Sequence, residues 1–244
     1  MKQSIFEIKT NEALTSNVYK MTLAGDTAEV TAPGQFVNLK LEGKFLRRPI
    51  SVCDCTEGEL TLIYKVVGGG TEQMSRMQQG EELDILSGLG NGYDTSLTGD
   101  HPLLLGGGVG VPPLYMLAKQ LRAEGKTVSV VLGFNTKDEI FYENEFKALG
   151  CDVTVTTADG SYGVKGFVTN AMDIEYTHVC TCGPEPMLKA VYKTCTTDGQ
   201  FSFEERMGCG FGACMGCSCK TITGYKRICK EGPIMRKGDI LWED

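Results

Sequence analysis

The chain has no run of about 18 apolar residues, so no segment reads as a membrane-crossing helix. Its start, Met1-Lys-Gln-Ser-Ile-Phe-Glu7, lacks the apolar core of a secretory signal. It also lacks a basic excess. Against 24 Lys and Arg stand 31 Asp and Glu, giving a formal charge of −7 and a pI near 5.0. Nucleic-acid binding needs a basic face for phosphate, so that class of partner is not expected. No internal repeat, low-complexity run or long linker breaks the 244 residues, which suffice for one large or two modest domains. Cysteine is plentiful, with eleven residues. With no export signal, the expected location is the cytoplasm, and the thiols read as reduced or metal-bound rather than disulfide-bonded.

Four cysteines stand apart by spacing. Cys209-x4-Cys214-x2-Cys217 is followed, after eleven residues, by Cys229. This is the ligand pattern of a plant-type [2Fe–2S] cluster. Three cysteines so close together must point at one small centre, so the backbone coils tightly and turns its N–H groups toward the sulfurs. Gly208, Gly210, Gly212 and Gly216 permit that path. Structural zinc is the alternative, but it favours two close pairs, and the x4 step is not of that kind. Cys219 is expected to turn away from the centre and pack. Cys53, Cys55, Cys151, Cys180, Cys182 and Cys195 mostly occupy apolar runs, as small buried hydrophobes do.

Residues 1–98 read as β. Alternating runs at 4–9, 18–23, 35–41, 50–53 and 60–66 are separated by turn signals such as Pro33-Gly34 and Glu57-Gly58. A small antiparallel barrel is expected, with one short helix at 71–77. Residues 99–199 change period. Strands at 102–105, 128–134, 153–157 and 177–182 alternate with a helix around Leu114–Leu117–Leu121 and helices at 142–149, 166–172 and 186–194. That alternation implies a parallel sheet with helices on both faces. Residues 200–244 form a cysteine segment too small for a core of its own, centred on the cluster. The fold class is therefore α/β plus all-β.

Three motifs carry chemistry. Gly106-Gly107-Gly108-Val-Gly110 follows a strand and opens a helix, where phosphate can approach backbone N–H groups at a helix N-terminus. In the barrel half, Arg48-Pro49-Ile50-Ser51 offers a forked cation for pyrophosphate and a hydroxyl for a flavin ring nitrogen. Nearby, Gly68-Gly-Gly70-Thr71 opens the short helix and repeats the anion-site logic. Cys182-Gly183-Pro184 ends a strand, placing a small side chain and open backbone at the ligand crevice of an open sheet. After the strand at 128–134, Asn135-Thr-Lys-Asp-Glu139 holds one lysine, two acids and no arginine. That composition favours NAD over NADP.

In this order and spacing, the motifs resemble the ferredoxin–NADP reductase superfamily, whose N-terminal barrel binds flavin and whose α/β domain binds a nicotinamide nucleotide. The superfamily usually carries Arg-x-Tyr-Ser, with the tyrosine stacked on the flavin; here Ile50 takes that place. That departure, the appended cysteines, the 225–233 stretch and the run 159–168 resemble a narrower family. This is the iron–sulfur electron-transfer subunit of the bacterial NAD-linked dihydroorotate dehydrogenases. The resemblance spans essentially the whole chain.

It implies FAD held by Arg48, Pro49, Ile50, Ser51, Ile63, Tyr64, Lys65, Gly70 and Thr71, a [2Fe–2S] cluster on Cys209, Cys214, Cys217 and Cys229, and NAD as electron acceptor. It also implies an FMN-containing catalytic subunit that oxidises dihydroorotate in pyrimidine (UMP) biosynthesis, two of each chain forming a heterotetramer. NAD(H) exchanges hydride, a cluster carries one electron and a flavin does both, so the electron counts order the centres. No general acid or base is expected, and His101 and His178, which flank strands, are read as structural. Three rivals share features. One is the same kind of FAD/[2Fe–2S] subunit in a transhydrogenase or sulfur reductase complex. The second is a self-contained reductase serving a soluble acceptor, and the third is a redox-sensing or zinc-stabilised binding module.

Overall fold

A computed structural model describes residues 1–242. Period-two patterning builds the first unit: β1 (Lys2–Ala13), β2 (Val18–Ala24), β3 (Phe36–Lys40), β4 (Arg48–Thr56), β5 (Glu59–Lys65), then helix α1 (Gly69–Ser75) and β6 (Glu82–Leu89). These close into an antiparallel barrel of order β1-β2-β5-β4-β3-β6. Closure depends on β6, which pairs with both β1 and β3 and which the sequence reading leaves unassigned. Its signal is clean alternation, with Leu83, Ile85 and Leu89 buried. Helix α1 plugs the barrel with Met74, and Asn11 donates to the Met74 and Met77 carbonyls at 2.8 and 3.0 Å.

The second unit runs β7 (Pro102–Gly107), α2 (Pro112–Ala123), β8 (Ser129–Phe134), α3 (Glu143–Ala148), β9 (Asp152–Thr157), β10 (Val164–Lys165), β11 (His178–Cys182), α4 (Glu185–Thr194) and β12 (Gly199–Ser202). The helix expected at 166–172 is only a 3-10 turn over Val168–Ala171. Beyond lie the hairpin β13 (Ser218–Thr221) and β14 (Gly224–Arg227), then β15 (Ile234–Arg236). The sheet order is β10-β9-β8-β7-β11-β12-β15, parallel except for β15, which returns antiparallel on β12. Each central strand is apolar on both sides. Leu104, Val130, Leu132 and Cys180 pack under α2, and Leu103, Leu105, Val131 and Val179 pack under α4. Continuous burial of this kind is what a parallel sheet with two covered faces demands.

The cysteine segment does not stand alone. β12 and β15 knit its two ends into the sheet, and Cys217, Ile228 and Cys229 share a small core with Phe36 and Leu89 of the barrel. Other ties hold the two main units together. Lys119 of α2 meets both carboxylate oxygens of Asp54 at 3.0 and 2.9 Å, and Tyr93 donates its hydroxyl to the Thr181 carbonyl at 3.0 Å. No helix among the described residues is long and apolar enough to cross a membrane.

Candidate functional site

A cavity of about 650 Å³ opens between the barrel and the carboxyl ends of β7, β8, β9 and β11. Pro49, Ser51 and Lys65 contribute from the barrel. Gly107, Gly108, Gly110, Cys182, Gly183 and Pro184 contribute from the sheet. The fold thus brings three motifs, far apart in sequence, to one cleft at the strand ends, where ligands of open α/β sheets bind.

The glycines divide their work. Gly108 has φ +52°, a left-handed conformation, and faces open space. A Cβ on Gly110 would run into the Cys182 carbonyl, so its absence lets the glycine-rich loop lie directly on the Cys182-Gly183 turn. Gly106 does not reach the cleft. A Cβ there would press within 3.0 Å of the Val111 Cα, so its role is close strand-to-helix packing.

On the barrel side, Arg48 is poised for an anion. Its guanidinium lies over Gly70, where any Cβ would clash with it, and it donates only to the Leu46 and Arg47 carbonyls among the described residues. Thr71 is spent on the loop: its hydroxyl accepts from the Val67 and Gly68 N–H groups at 3.0 and 3.3 Å and donates to the Gly68 carbonyl. Ile50 leans on the barrel core, Ile63 is buried against the sheet domain, and the Tyr64 hydroxyl donates to Asn11 at 2.9 Å inside the barrel. Those three side chains therefore shape the wall from behind, while Pro49, Ser51 and Lys65 face the cleft. A cationic fork over a glycine cradle beside an open hydroxyl fits a flavin dinucleotide.

The four cysteines converge in two pairs. The Ala213 and Cys214 N–H groups donate to Cys209 Sγ at 3.2 and 3.4 Å, while the Cys209 and Gly216 N–H groups donate to Cys214 Sγ at 3.4 and 3.5 Å. The Cys229 N–H donates to Cys217 Sγ at 3.4 Å. Burial opposes ionisation of Cys209, but the N–H groups of Phe211, Cys214 and Ala213 and the Cys214 thiol outweigh it and bring it down to about 6. Burial, then the adjacent Cys217 thiol, push Cys229 up to about 12. Among the described residues no three His, Cys, Asp or Glu side chains converge on a single metal-ion position. Two sulfur pairs wrapped in N–H donors fit a two-iron cluster rather than one tetrahedral zinc ion. Cys219 packs beside the small core, partly buried.

The cleft also holds the stretch after β8 that the sequence marks as favouring NAD, and residues that carry no motif. Asn135 and Glu139 sit at the end of β8, joined by Asn135 Nδ2 to Glu139 Oε2 at 2.9 Å. Phe167, Met187, Phe203, Glu204 and Glu205 are also among the lining residues. Burial pushes the Cys182 thiol up to about 12, so it is neutral at the cleft. Only the acids at 138 and 139 left a trace in the sequence; the rest carry no motif. Of the histidines, His101 is exposed, while His178 is buried with Nε2 3.3 Å from Gln200 Nε2.

Comparison with known proteins adds to this geometry. Residues 204–241 match the iron–sulfur cluster binding domain of dihydroorotate dehydrogenase B, and residues 104–193 match an oxidoreductase NAD-binding domain. The chain is 43% identical to the electron transfer subunit of dihydroorotate dehydrogenase B (NAD(+)) from Geobacillus sp. (strain WCH70), covering 99% of both chains. The Fusobacterium nucleatum subunit is likewise 43% identical, over 98% of this chain and 99% of its own. Among solved structures, that of an NADH-dependent reduced ferredoxin-NADP oxidoreductase superposes with a TM-score of 0.88 at 30% identity, covering 97% of this chain and 90% of that one. A ferredoxin NADP+ reductase from Neisseria gonorrhoeae with bound FAD and NADP shares the fold, with a TM-score of 0.67 at 19% identity over 80% of this chain and 90% of that one.

Proposed function

The chain belongs to the electron transfer subunits of NAD-linked dihydroorotate dehydrogenase B, and from that membership we propose how its residues divide the work. FAD exchanges hydride on one side and single electrons on the other, and the [2Fe–2S] cluster supplies the one-electron step. Arg48 binds the flavin pyrophosphate over Gly70, Ser51 and Pro49 orient the ring edge, and Lys65 closes the cleft wall. Gly107, Gly108 and Gly110 admit the nicotinamide dinucleotide, whose reactive end meets the flavin at Cys182, Gly183 and Pro184. The Glu139 carboxylate at the end of the sheet's second strand supports NAD, because it can accept from a ribose hydroxyl and would repel a 2′-phosphate. Cys209, Cys214, Cys217 and Cys229 hold the cluster.

Membership implies a catalytic partner subunit. In our reading that partner carries FMN, oxidises dihydroorotate in the cytoplasm, and assembles as two of each chain in pyrimidine biosynthesis. The cluster loop carries Phe211 and Met215, 44% and 54% exposed, which suits a surface covered by the partner. The observation that carries the assignment is the cleft shared by barrel and sheet, with Cys217 and Cys229 packed against Phe36, which also lines that cleft. A subunit of a transhydrogenase-type complex is the second reading, favoured by the 0.88 superposition. The 43% identities outweigh the 30% one.

The test is co-purification of the untagged partner followed by assay with dihydroorotate and NAD+. The isolated chain is expected to reduce artificial dyes with NADH and to leave dihydroorotate untouched. Dihydroorotate oxidation by the chain alone would refute the division of labour.

A further inference from the structure

The outer face of β3 separates the flavin cleft from the cysteine pairs. Val37 and Leu39 point into the barrel core, while Phe36 and Asn38 point out. Phe36 pairs across to Ser51 and Asn38 to Pro49, so all four share one face of the barrel wall. On that face Phe36 lines the cleft and also packs with Cys217 and Cys229. Asn38 serves the other pair of thiols. Its Nδ2 donates to the Cys209 carbonyl at 3.2 Å, and a Cβ on Gly210 would run into that same nitrogen. The cluster loop thus lies as close to Asn38 as a glycine allows.

Asn38 is 1% exposed, and its Oδ1 has no hydrogen-bond partner among the described residues. A buried acceptor left unpaired carries its full desolvation cost, which a leucine of similar size would remove. Fold stability therefore does not explain an asparagine here. What leucine cannot supply is the positive end of an amide dipole at the Cys209 carbonyl. That carbonyl belongs to the loop whose N–H groups already face Cys209 Sγ and Cys214 Sγ. Hydrogen bonds donated to a cluster's sulfurs stabilise its more negative, reduced form and raise its potential, so a side chain that fixes the loop making those bonds bears on that potential.

Resting on the electron-transfer reading above, we propose that Asn38 is a positioning residue through which the barrel wall sets the redox potential of the [2Fe–2S] cluster. It costs the fold an unpaired acceptor and gives the Cys209 carbonyl of the cluster loop an oriented donor from the barrel wall. Local rules of polar satisfaction are broken at functional sites and compensated elsewhere, and this is the pattern expected of one.

The experiment uses the full chain carrying flavin and cluster. Asn38→Leu is compared with wild type, and Asn38→Val serves as a second apolar variant suited to a strand. Four quantities are read: iron per chain, melting temperature, the potential from an EPR-monitored redox titration, and the reduced-cluster signal at a fixed NADH/NAD+ ratio. The expected result is full iron, an equal or higher melting temperature, a more negative potential and a several-fold lower ratio of reduced to oxidised cluster. Full iron with an unshifted potential overturns the proposal. So does loss of iron or a lower melting temperature in both variants, which would make Asn38 an anchor only. A wild-type chain with no cluster EPR signal would instead sink the electron-transfer reading itself.

Discussion

Arg47 Nη2 lies 2.9 Å from Asp84 Oδ1, and both side chains are largely buried. Arg47 also donates to the Asn38 and Asp84 carbonyls, so it fastens β4 to β3 and β6. Its neighbour Arg48 has no carboxylate partner among the described residues and lies over Gly70. Two consecutive arginines thus have opposite roles.

Arg48→Ala is expected to weaken FAD by about 1.5–3 kcal/mol, the scale of one charge-assisted contact to pyrophosphate. Arg47→Ala should instead lower the melting temperature by leaving Asp84 unpaired. Flavin retention after gel filtration and thermal denaturation separate the two. Equal flavin retention in Arg48→Ala and wild type would count against the site.

Serine at Cys209, Cys214, Cys217 or Cys229 is expected to reduce bound iron sharply, and Cys219→Ser to leave it unchanged. The paired N–H···S contacts single out the four, while Cys219 packs aside. Iron and acid-labile sulfide per chain decide it. The reverse pattern, with Cys219 essential and Cys229 dispensable, would break the assignment.

Phe211 and Met215 are exposed on the cluster loop. Changing both to Asp should leave iron content and NADH–dye activity intact and abolish the complex with the catalytic subunit on a sizing column. A complex that persists with both changes would mean that these side chains only shield the cluster.

Burial holds the His178 imidazole below its usual range, so it is neutral in the fold. The unfolded chain takes up that proton near pH 6.5 and the folded chain does not. Stability should therefore fall as pH drops from about 7.5 through 6, with the loss complete once pH passes below the lowered folded value. Melting temperatures across this range should fall less steeply for His178→Asn. Parallel slopes would remove His178 as the cause.

The sequence by itself determined whatever chemistry is local along the chain. Cysteine spacing pointed to four candidate ligands, a glycine run before a helix pointed to a nucleotide loop, and alternation marked most strands, because each depends on residues within a few positions of one another. Even β6 was written in its own period of two. Tertiary structure decided what depends on distant partners. It added β12 and then β15 to one side of the sheet, since such short strands exist only by pairing, β12 with β11 and β15 with β12. It sent Ile50 and Tyr64 to the barrel core and buried Ile63 against the sheet domain while Pro49, Ser51 and Lys65 faced the cleft, because what packs on each side of a strand, not the motif, decides what a residue there meets. It sorted four thiols into two pairs. It also placed Asn38 171 residues upstream of Cys209 and within hydrogen-bonding distance of it, a contact for which the one-dimensional sequence holds no signal.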